Sequence, residues 1–414
     1  MTQHKITESG NLLNDDGTLR EIGFATSMLQ IYNREKIKKS KLKIKEWDYY
    51  LISNEKFAVA LTIADNGYMG MLSASLIEFD IPKEKTTSIM TLFPMGKFKM
   101  PRTSKEGVSN FSNKKCSFKF TTSPTGEGDK ANRQIDVYLK NFDTGKDFSC
   151  HFDLTDEPKD SMVIATPYAE DKKAFYYNQK IIGMKASGWV TLGDTNSLGG
   201  EDAPQNDTNS LGNNKIENKI EFSNTNTTAL LDWGRGVWTY ENTWYWGAAS
   251  GYIDGHSLGW NIGYGFGDTT KASENMVFFD GKAHKLDRIK FCIPLQNDKN
   301  ADDTMIDEKM IDDKITAENK TFFDEWVKNP PNEKVHLDQI HNFTSPWKFT
   351  SNDGRFEMDF VPILDRASCT DLKLIMSDQH QVFGKFTGKI ILDDGSIIQI
   401  KDFLGFAEKV HNKW

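Results

Sequence analysis

Between Lys385 and Phe403, polar and apolar positions alternate on both sides of a turn. Lys385, Thr387 and Lys389 interleave with Phe386, Gly388 and Ile390; beyond Asp393-Asp394-Gly395, Ile398 and Ile400 interleave with Gln399 and Lys401. A period of two marks a strand with one buried face, so this stretch predicts an antiparallel hairpin. Similar punctuation recurs at Asp15-Asp16-Gly17, Asp65-Asn66-Gly67, Asp143-Thr144-Gly145, Asp280-Gly281 and Asp353-Gly354. Asp-Gly and Asn-Gly supply the positive φ angles that tight turns between twisted strands need. The pattern predicts an all-β chain of antiparallel sheets or barrels. Helical text is sparse: Asp307–Lys320 and Thr321–Val327, before Pro330-Pro331, are the two short candidates.

One pattern occurs twice. Gly183 … Gly188-Trp189-Val190-Thr191-Leu192 followed by Asp232-Trp233 … Asn242-Thr243-Trp244 has the order of Gly384 … Gly388-Lys389-Ile390-Ile391-Leu392 followed by Asp402-Phe403 … Asn412-Lys413-Trp414. This suggests one β module used twice, with modules 1–245 and 246–414. A polar duplication, Asp194–Gly199 and Asp207–Gly212, buries too little apolar surface to order itself and predicts a mobile insertion at about 194–214. Met305–Lys309 and Met310–Lys314 form a second duplication in an acidic stretch.

At 414 residues, two domains are the natural expectation. A net charge of -8 argues against a phosphate-neutralising surface and so against nucleic acid as partner. The basic cluster Arg34, Lys36, Lys38, Lys39, Lys41, Lys43 and Lys45 reads as a solvated face, with Lys41–Lys45 alternating like a half-exposed strand and a weak contact with anionic headgroups as the lesser alternative. Cys116, Cys150, Cys292 and Cys369 are scattered and form neither a disulfide framework nor a zinc motif. No secretory signal is visible in Met1–Lys5 and no apolar run approaches about 20 residues, so a soluble cytoplasmic protein without an integral membrane segment is expected. Dinucleotide, phosphate-loop, serine-elbow and zincin motifs are missing, and no cofactor or metal is expected. His336, Asp338 and His341 are only a faint metal pattern.

Five of the ten tryptophans fall between Trp233 and Phe266, interleaved with glycines. Large rings alternating with glycine suit bent strands in a small barrel, and equally a pocket that stacks rings on an apolar ligand. Trp238, Tyr240, Trp244, Trp246 and Trp260 are the candidate ligand-lining residues. Charged groups that punctuate this text must be paired if buried; Arg235 is expected to pair with Asp232 or Glu274. Arg235, Glu241, Glu274 and His256 are the candidate catalytic residues. Asp232 has a counterpart in Asp402, which favours a structural role for it.

Leu231-Asp232-Trp233-Gly234-Arg235-Gly236-Val237-Trp238, Trp244-Tyr245-Trp246-Gly247, Glu274-Asn275, Trp47-Asp48-Tyr49-Tyr50, Asn66-Gly67-Tyr68 and Gly405-Phe406-Ala407-Glu408-Lys409-Val410 together resemble the bacterial domain of unknown function family numbered 2804. That resemblance covers nearly the whole chain and implies no established activity. More distantly, paired β modules with such aromatic strands are similar to double-calycin proteins, among them carotenoid hydratases and tocopherol cyclases. This similarity implies two consecutive calycin or lipocalin-like barrels and an apolar, lipid-like or isoprenoid-like ligand.

The leading expectation is therefore binding of a hydrophobic small molecule, with acid-assisted hydration, cyclisation or isomerisation as its chemical extension. Arg235 would orient charge, Glu241 or Glu274 would act as acid, and tryptophan faces would stabilise a cation. Whether any reaction is catalysed, and the oligomeric state, stay open. A non-enzymatic scaffold with filled barrels is the second reading, and a carbohydrate-active protein with two carboxylates across an open cleft the third.

Overall fold

The structure, a computed structural model, describes residues 3–128, 130–194, 219–296, 336–371 and 375–413. The insertion at about 194–214 beyond Asp194, the duplication at 305–314 and the two candidate helices all lie outside the described residues. In chain order the strands are β1 (Gly10–Asn11), β2 (Gly23–Ala25), β3 (Gln30–Ile31), β4 (Ile44–Ser53), β5 (Phe57–Asp65), β6 (Met69–Glu78), β7 (Lys83–Leu92), β8 (Gly107–Ser112), β9 (Cys116–Pro124), β10 (Ala131–Asp143), β11 (Lys146–Thr155) and β12 (Met162–Tyr168). There follow β13 (Asp171–Asp194), β14 (Lys219–Phe222), β15 (Thr228–Val237), β16 (Glu241–Ile253), β17 (His256–Tyr264), β18 (Met276–Phe279), β19 (Lys282–Lys285), β20 (Ile289–Cys292), β21 (Trp347–Ser351), β22 (Phe356–Asp371), β23 (Met376–Ile391) and β24 (Ile397–Lys413). One helical turn, α1 (Leu337–Ile340), precedes β21. The all-β expectation is met, as two curled antiparallel half-barrel sheets. No helix among the described residues is long and apolar enough to cross a membrane.

The chain divides into two compact units. The first comprises Met1–Lys38, Lys159–Gly183 and Gly236–Trp414; the second comprises Lys39–Pro158 and Met184–Arg235.

In the second unit the strand order is β7-β6-β5-β4-β15-β13-β11-β10-β9-β8, with β14 also against β13. Alternation drives it: along β10, Ala131, Arg133, Ile135, Val137 and Leu139 turn inward while Asn132 and Gln134 face solvent. Rings fill the inside, as where Tyr50 meets Phe120 edge-on at 5.1 Å. Lys41–Lys43 form a 3-10 turn, not the strand expected from their alternation, because Ser40 caps the amide of Leu42. Lys45, expected on a solvated face, is only 2% exposed. It lies inside β4, donates to the carbonyl of Asn66 at 3.0 Å and sits 4.3 Å over the Tyr68 ring.

In the first unit a nine-stranded sheet runs β19-β18-β17-β16-β24-β23-β22-β21-β20. The predicted hairpin is β23–β24, with Lys389 opposite Gln399 and Ile390 opposite Ile398. Phe386, Ile390 and Ile400 are buried on one face, and they join Trp260, Phe349, Phe356 and Phe360 in the core. The Asp280-Gly281 turn has φ 49° and 72°, the double positive φ of a tight hairpin turn. The duplicated pattern has a physical counterpart in its glycines. A Cβ at Gly188 would lie 2.0 Å from the carbonyl oxygen of His151, and one at Gly388 would lie 2.1 Å from that of Glu357.

Two buried lysines give the fold a pH signature. Burial drives Lys45 in the second unit and Lys285 in the first from the ordinary 10.5 down to about 7, against the pull of Asp65 and of Asp287. Lys285 donates to Ser273 Oγ and to the carbonyls of Asn275 and Leu286 at 2.7–2.8 Å. Between pH 7 and 10.5 the unfolded chain binds more protons than the folded one. The penalty on folding is therefore full below pH 7 and fades as pH rises towards 10.5. The denaturation midpoint of the wild type is expected to rise between pH 7 and about 9, and the rise is expected to shrink in Lys45→Met. Equal slopes in the two proteins would remove Lys45 as a cause.

Candidate functional site

Four strands of the first unit carry a row of polar side chains across the sheet. Arg366 on β22 is opposite Gln381 on β23, Gln381 is opposite Glu408 on β24, and Glu408 is opposite Trp246 on β16. Directly opposed residues of antiparallel strands share a face, so these four side chains point the same way. Beyond Trp246 stands Gly263 on β17. The missing side chain there is needed, since a Cβ would lie 2.7 Å from Glu274 Oε1. Glu274 thus continues the row where β17 has no side chain.

Every member is held. Arg366 Nη1 donates to Gln381 Oε1 at 2.6 Å, and Gln381 Nε2 donates to Glu408 Oε2 at 3.0 Å. Trp244 Nε1 donates to Glu408 Oε1 at 3.1 Å. Trp246 Nε1 donates to Asn261 Oδ1 at 2.7 Å, and Asn261 Nδ2 donates to the Glu274 carbonyl at 3.0 Å and to Oε2 at 3.3 Å. The backbone around Glu274 is pinned on both sides: Ser273 Oγ donates to the Asp287 carbonyl, and Asn275 Oδ1 accepts from the Gly263 amide at 2.7 Å. Lys180, on the part of β13 that belongs to this unit, places Nζ 3.9 Å over the Trp246 ring.

Burial makes the row unusual. Lys180, Glu274 and Glu408 are 1%, 2% and 4% exposed, and Gln381 and Asn261 are as deeply covered. Rings wall the row: Trp238 meets Trp244 at 5.3 Å, Trp244 meets Phe266 at 5.8 Å, and Tyr176 stacks on Phe266 at 4.8 Å. Glu408 and the Glu274 position flank Trp246 by one strand each, so they stand roughly 10 Å apart. The arrangement offers two carboxyl groups and one ammonium around an indole face, in surroundings where charge is costly to place and strong in effect.

The row and its wall bring together Glu274, Trp238, Trp244 and Trp246 from among the residues selected from sequence. The others lie elsewhere. Trp260 is fully buried in the apolar core, 5.2–5.6 Å from Phe356, Phe386 and Phe403. Tyr240 is half exposed. Glu241 opens β16 at the surface, 3.3 Å from both His411 Nε2 and Lys413 Nζ. His256 sits on an exposed hairpin end, with Nδ1 2.7 Å from Asp280 Oδ2.

Arg235 belongs to the second unit, on β15. Its ion-pair partner is Asp48 at 3.0 Å, in place of the expected Asp232 or Glu274. The reason is topological: β4, which carries Asp48, is the sheet neighbour of β15. The guanidinium also donates to the carbonyls of Trp47 at 2.7 Å, Gly234 at 2.8 Å and Pro101 at 2.9 Å, and lies 4.1 Å over Trp233. The cavity beside it, lined by Asp48, Ser109 and Trp233 among others, holds about 10 Å³, room for roughly one water.

Sequence reading did not select Lys180, Asn261, Gln381 or Glu408. The available signal was a lysine closing the otherwise bulky run Phe175-Tyr176-Tyr177-Asn178-Gln179-Lys180, and a glutamate inside the apolar stretch Gly405–Val410. Of the faint metal pattern, His341 turns to Lys409, 2.7 Å away, and burial and that ammonium hold it down at about 4; Asp338 is exposed. His336 instead faces Cys369 and Asp378.

The profile of a family described as "Domain of unknown function (DUF2804)" matches residues 3–414. No curated protein matches the chain. Among solved structures it is similar to a putative AttH from Nitrosomonas europaea, at 11% identity and TM-score 0.45, over 91% of this chain and 95% of that one. It is also similar to kievitone hydratase from Nectria haematococca, at 8% identity and TM-score 0.39 over 98% of each chain. A third similar structure is CghA, at 9% identity and TM-score 0.38, over 98% of this chain and 97% of that one.

Proposed function

Starting from the fact that the chain belongs to the DUF2804 family, whose name assigns no activity, we propose that its first unit binds a lipid-like or isoprenoid-like molecule bearing an oxygen. The reading extends to proton-transfer chemistry on that molecule. The observation that carries it is the buried row itself, with Lys180, Glu274 and Glu408 grouped around Trp246. Three buried charge-bearing groups gathered around one indole weaken a fold compared with apolar residues, so an arrangement maintained this way points to a task. Lys180 would fix the ligand oxygen by charge and hydrogen bond. The rings of Trp238, Trp244 and Phe266 would take its apolar body.

The chemistry needs no electron transfer. A protonated Glu274 or Glu408 gives its proton to an unsaturated carbon, and the cationic centre that forms is stabilised by the ring faces of Trp238, Trp244 and Phe266. Water adds to that centre and its surplus proton returns to the carboxylate, which completes a hydration. Loss of a different proton to the carboxylate completes an isomerisation; attack by a second double bond closes a ring and moves the positive charge to a new carbon, and loss of a proton from beside that carbon to the carboxylate completes a cyclisation.

The test is native mass spectrometry of protein purified without detergent, with organic extraction of whatever accompanies it. A stoichiometric apolar adduct is expected, reduced at least about tenfold in Trp246→Ala and in Lys180→Met. Once the adduct is identified, Glu274→Gln and Glu408→Gln are expected to keep binding and to separate on turnover, with the acid's variant slower by about 10²–10⁴-fold. The packed rings around Trp260 favour a second reading for that part of the unit, a filled barrel without a ligand. A clean apo mass, with no turnover of any apolar oxygenated compound tried, would extend that reading to the row.

A further inference from the structure

Apart from the row, three different metal-ligating atoms converge in the first unit where β22, β23 and α1 meet. Cys369 and Asp378 are directly opposed in the β22–β23 register and share a face. His336 immediately precedes α1, whose first amide, that of Leu337, is tied to Asp378 Oδ2 at 2.7 Å. His336 Nδ1 lies 3.3 Å from Cys369 Sγ and 3.5 Å from Asp378 Oδ2, and all three ligand atoms fall within 4.8 Å of one another.

Those spacings are the edges of a coordination tetrahedron. Zinc bonds of about 2.0–2.2 Å to nitrogen or oxygen and about 2.3 Å to sulfur place neighbouring ligand atoms roughly 3.4–3.6 Å apart. Two of the three edges, 3.3 and 3.5 Å, are close to that length, and the third is no longer than 4.8 Å. We propose that His336, Cys369 and Asp378 form a binding site for a thiolate-accepting divalent transition metal, zinc in the first instance, with solvent in the fourth position.

The residues behind these ligands are arranged to support one. Asp378 Oδ1 is 3.6 Å from His380 Nε2, and His380 Nδ1 is 2.7 Å from Asp365 Oδ2. Phe343 stacks on the His380 ring at 3.9 Å and fixes its plane. Asp378 is thus fixed by a backbone amide on one oxygen, with a carboxylate-backed imidazole 3.6 Å from the other, a neighbour of the kind that supports metal-binding carboxylates. Nitrogen, sulfur and oxygen donors together select zinc or cobalt over magnesium or calcium, which take oxygen alone. The fourth position faces outward, because Cys369 is exposed and His336 half exposed. The site shares no group with the Trp246 row and stands or falls separately.

Cobalt(II) titration of the full chain, stripped by a chelator, tests this. One equivalent is expected to bind with an intense thiolate-to-cobalt charge-transfer band and the visible bands of a tetrahedral centre, both removed by added zinc. Cys369→Ser is expected to abolish the charge-transfer band and weaken binding more than about 100-fold, and Cys369 is exposed enough for the variant to fold. His380→Gln is expected to keep the band and weaken binding by about 10–100-fold. A wild type without the band, or a band and affinity unchanged by Cys369→Ser, would overturn the assignment: the first leaves only a thiol hydrogen-bonded to imidazole, and the second puts the metal on another cysteine.

Discussion

Arg235→Met is expected to destabilise the second unit by about 3–5 kcal/mol. The side chain is wholly buried, and removing it leaves the buried Asp48 carboxylate without its ion-pair partner, held among the described residues only by the Ser109 hydroxyl. It also leaves the carbonyls of Trp47 and Pro101 without this donor, each at a cost of about 1–3 kcal/mol where no water replaces it. Denaturant unfolding followed by tryptophan fluorescence reads the loss, since Trp233 sits beneath the guanidinium. Adding Asp48→Asn should recover a measurable part, because the worst consequence is the unpaired charge and not the lost contact. A loss below about 1 kcal/mol, or no recovery in the double variant, would mean that water or another group compensates Asp48 and that Arg235 is free for another task.

Trp260→Ala is expected to cost the first unit about 3–5 kcal/mol and to leave ligand binding at the row intact. The indole is 0% exposed, and Phe356, Phe386 and Phe403 pack against it edge-on or tilted. Its removal opens a cavity that rings on neighbouring strands cannot close without leaving their rotamers. The informative comparison is with Trp246→Ala, where loss of the adduct should exceed what the change in stability explains. If Trp260→Ala instead loses the adduct with little change in the unfolding midpoint, that core is the ligand chamber and the row is the support.

How far the sequence speaks depends on whether the signal is local. Turn dipeptides did, because the φ of Gly281 is decided within four residues, and β23–β24 pairs in the register that its alternation implies. The duplicated text pointed to Gly188 and Gly388, which meet carbonyl oxygens at nearly the same distance. Non-local facts were hidden. Nothing near Arg235 reveals Asp48, which precedes it by nearly two hundred residues and arrives through the β4–β15 adjacency. The row was half legible for the same reason: Trp244, Trp246 and Glu274 stand out in aromatic text, whereas Gln381 and Glu408 come from strands of ordinary composition. Lys45 misled because a lysine among lysines looks solvated, and only its place inside β4 puts it under cover.

The interleaved make-up of the two units sets an order of birth. Synthesis runs from the amino end, so the second unit has all its segments once Arg235 has emerged, its last residue and the one that clamps β15 to β4. The first unit cannot be completed then: Met1–Lys38 and Lys159–Gly183 are already out, but their companions in Gly236–Trp414 are not. At about 5–20 residues per second that wait lasts roughly 10–40 s. For that interval the nascent chain carries the segments of the second unit together with β2, β12 and the start of β13, which pair with one another but still await the nine-stranded sheet of their own unit. Those strands, with their apolar runs Met162–Ala165 and Ala174–Tyr177, are where a chaperone would find the growing polypeptide most in need of cover.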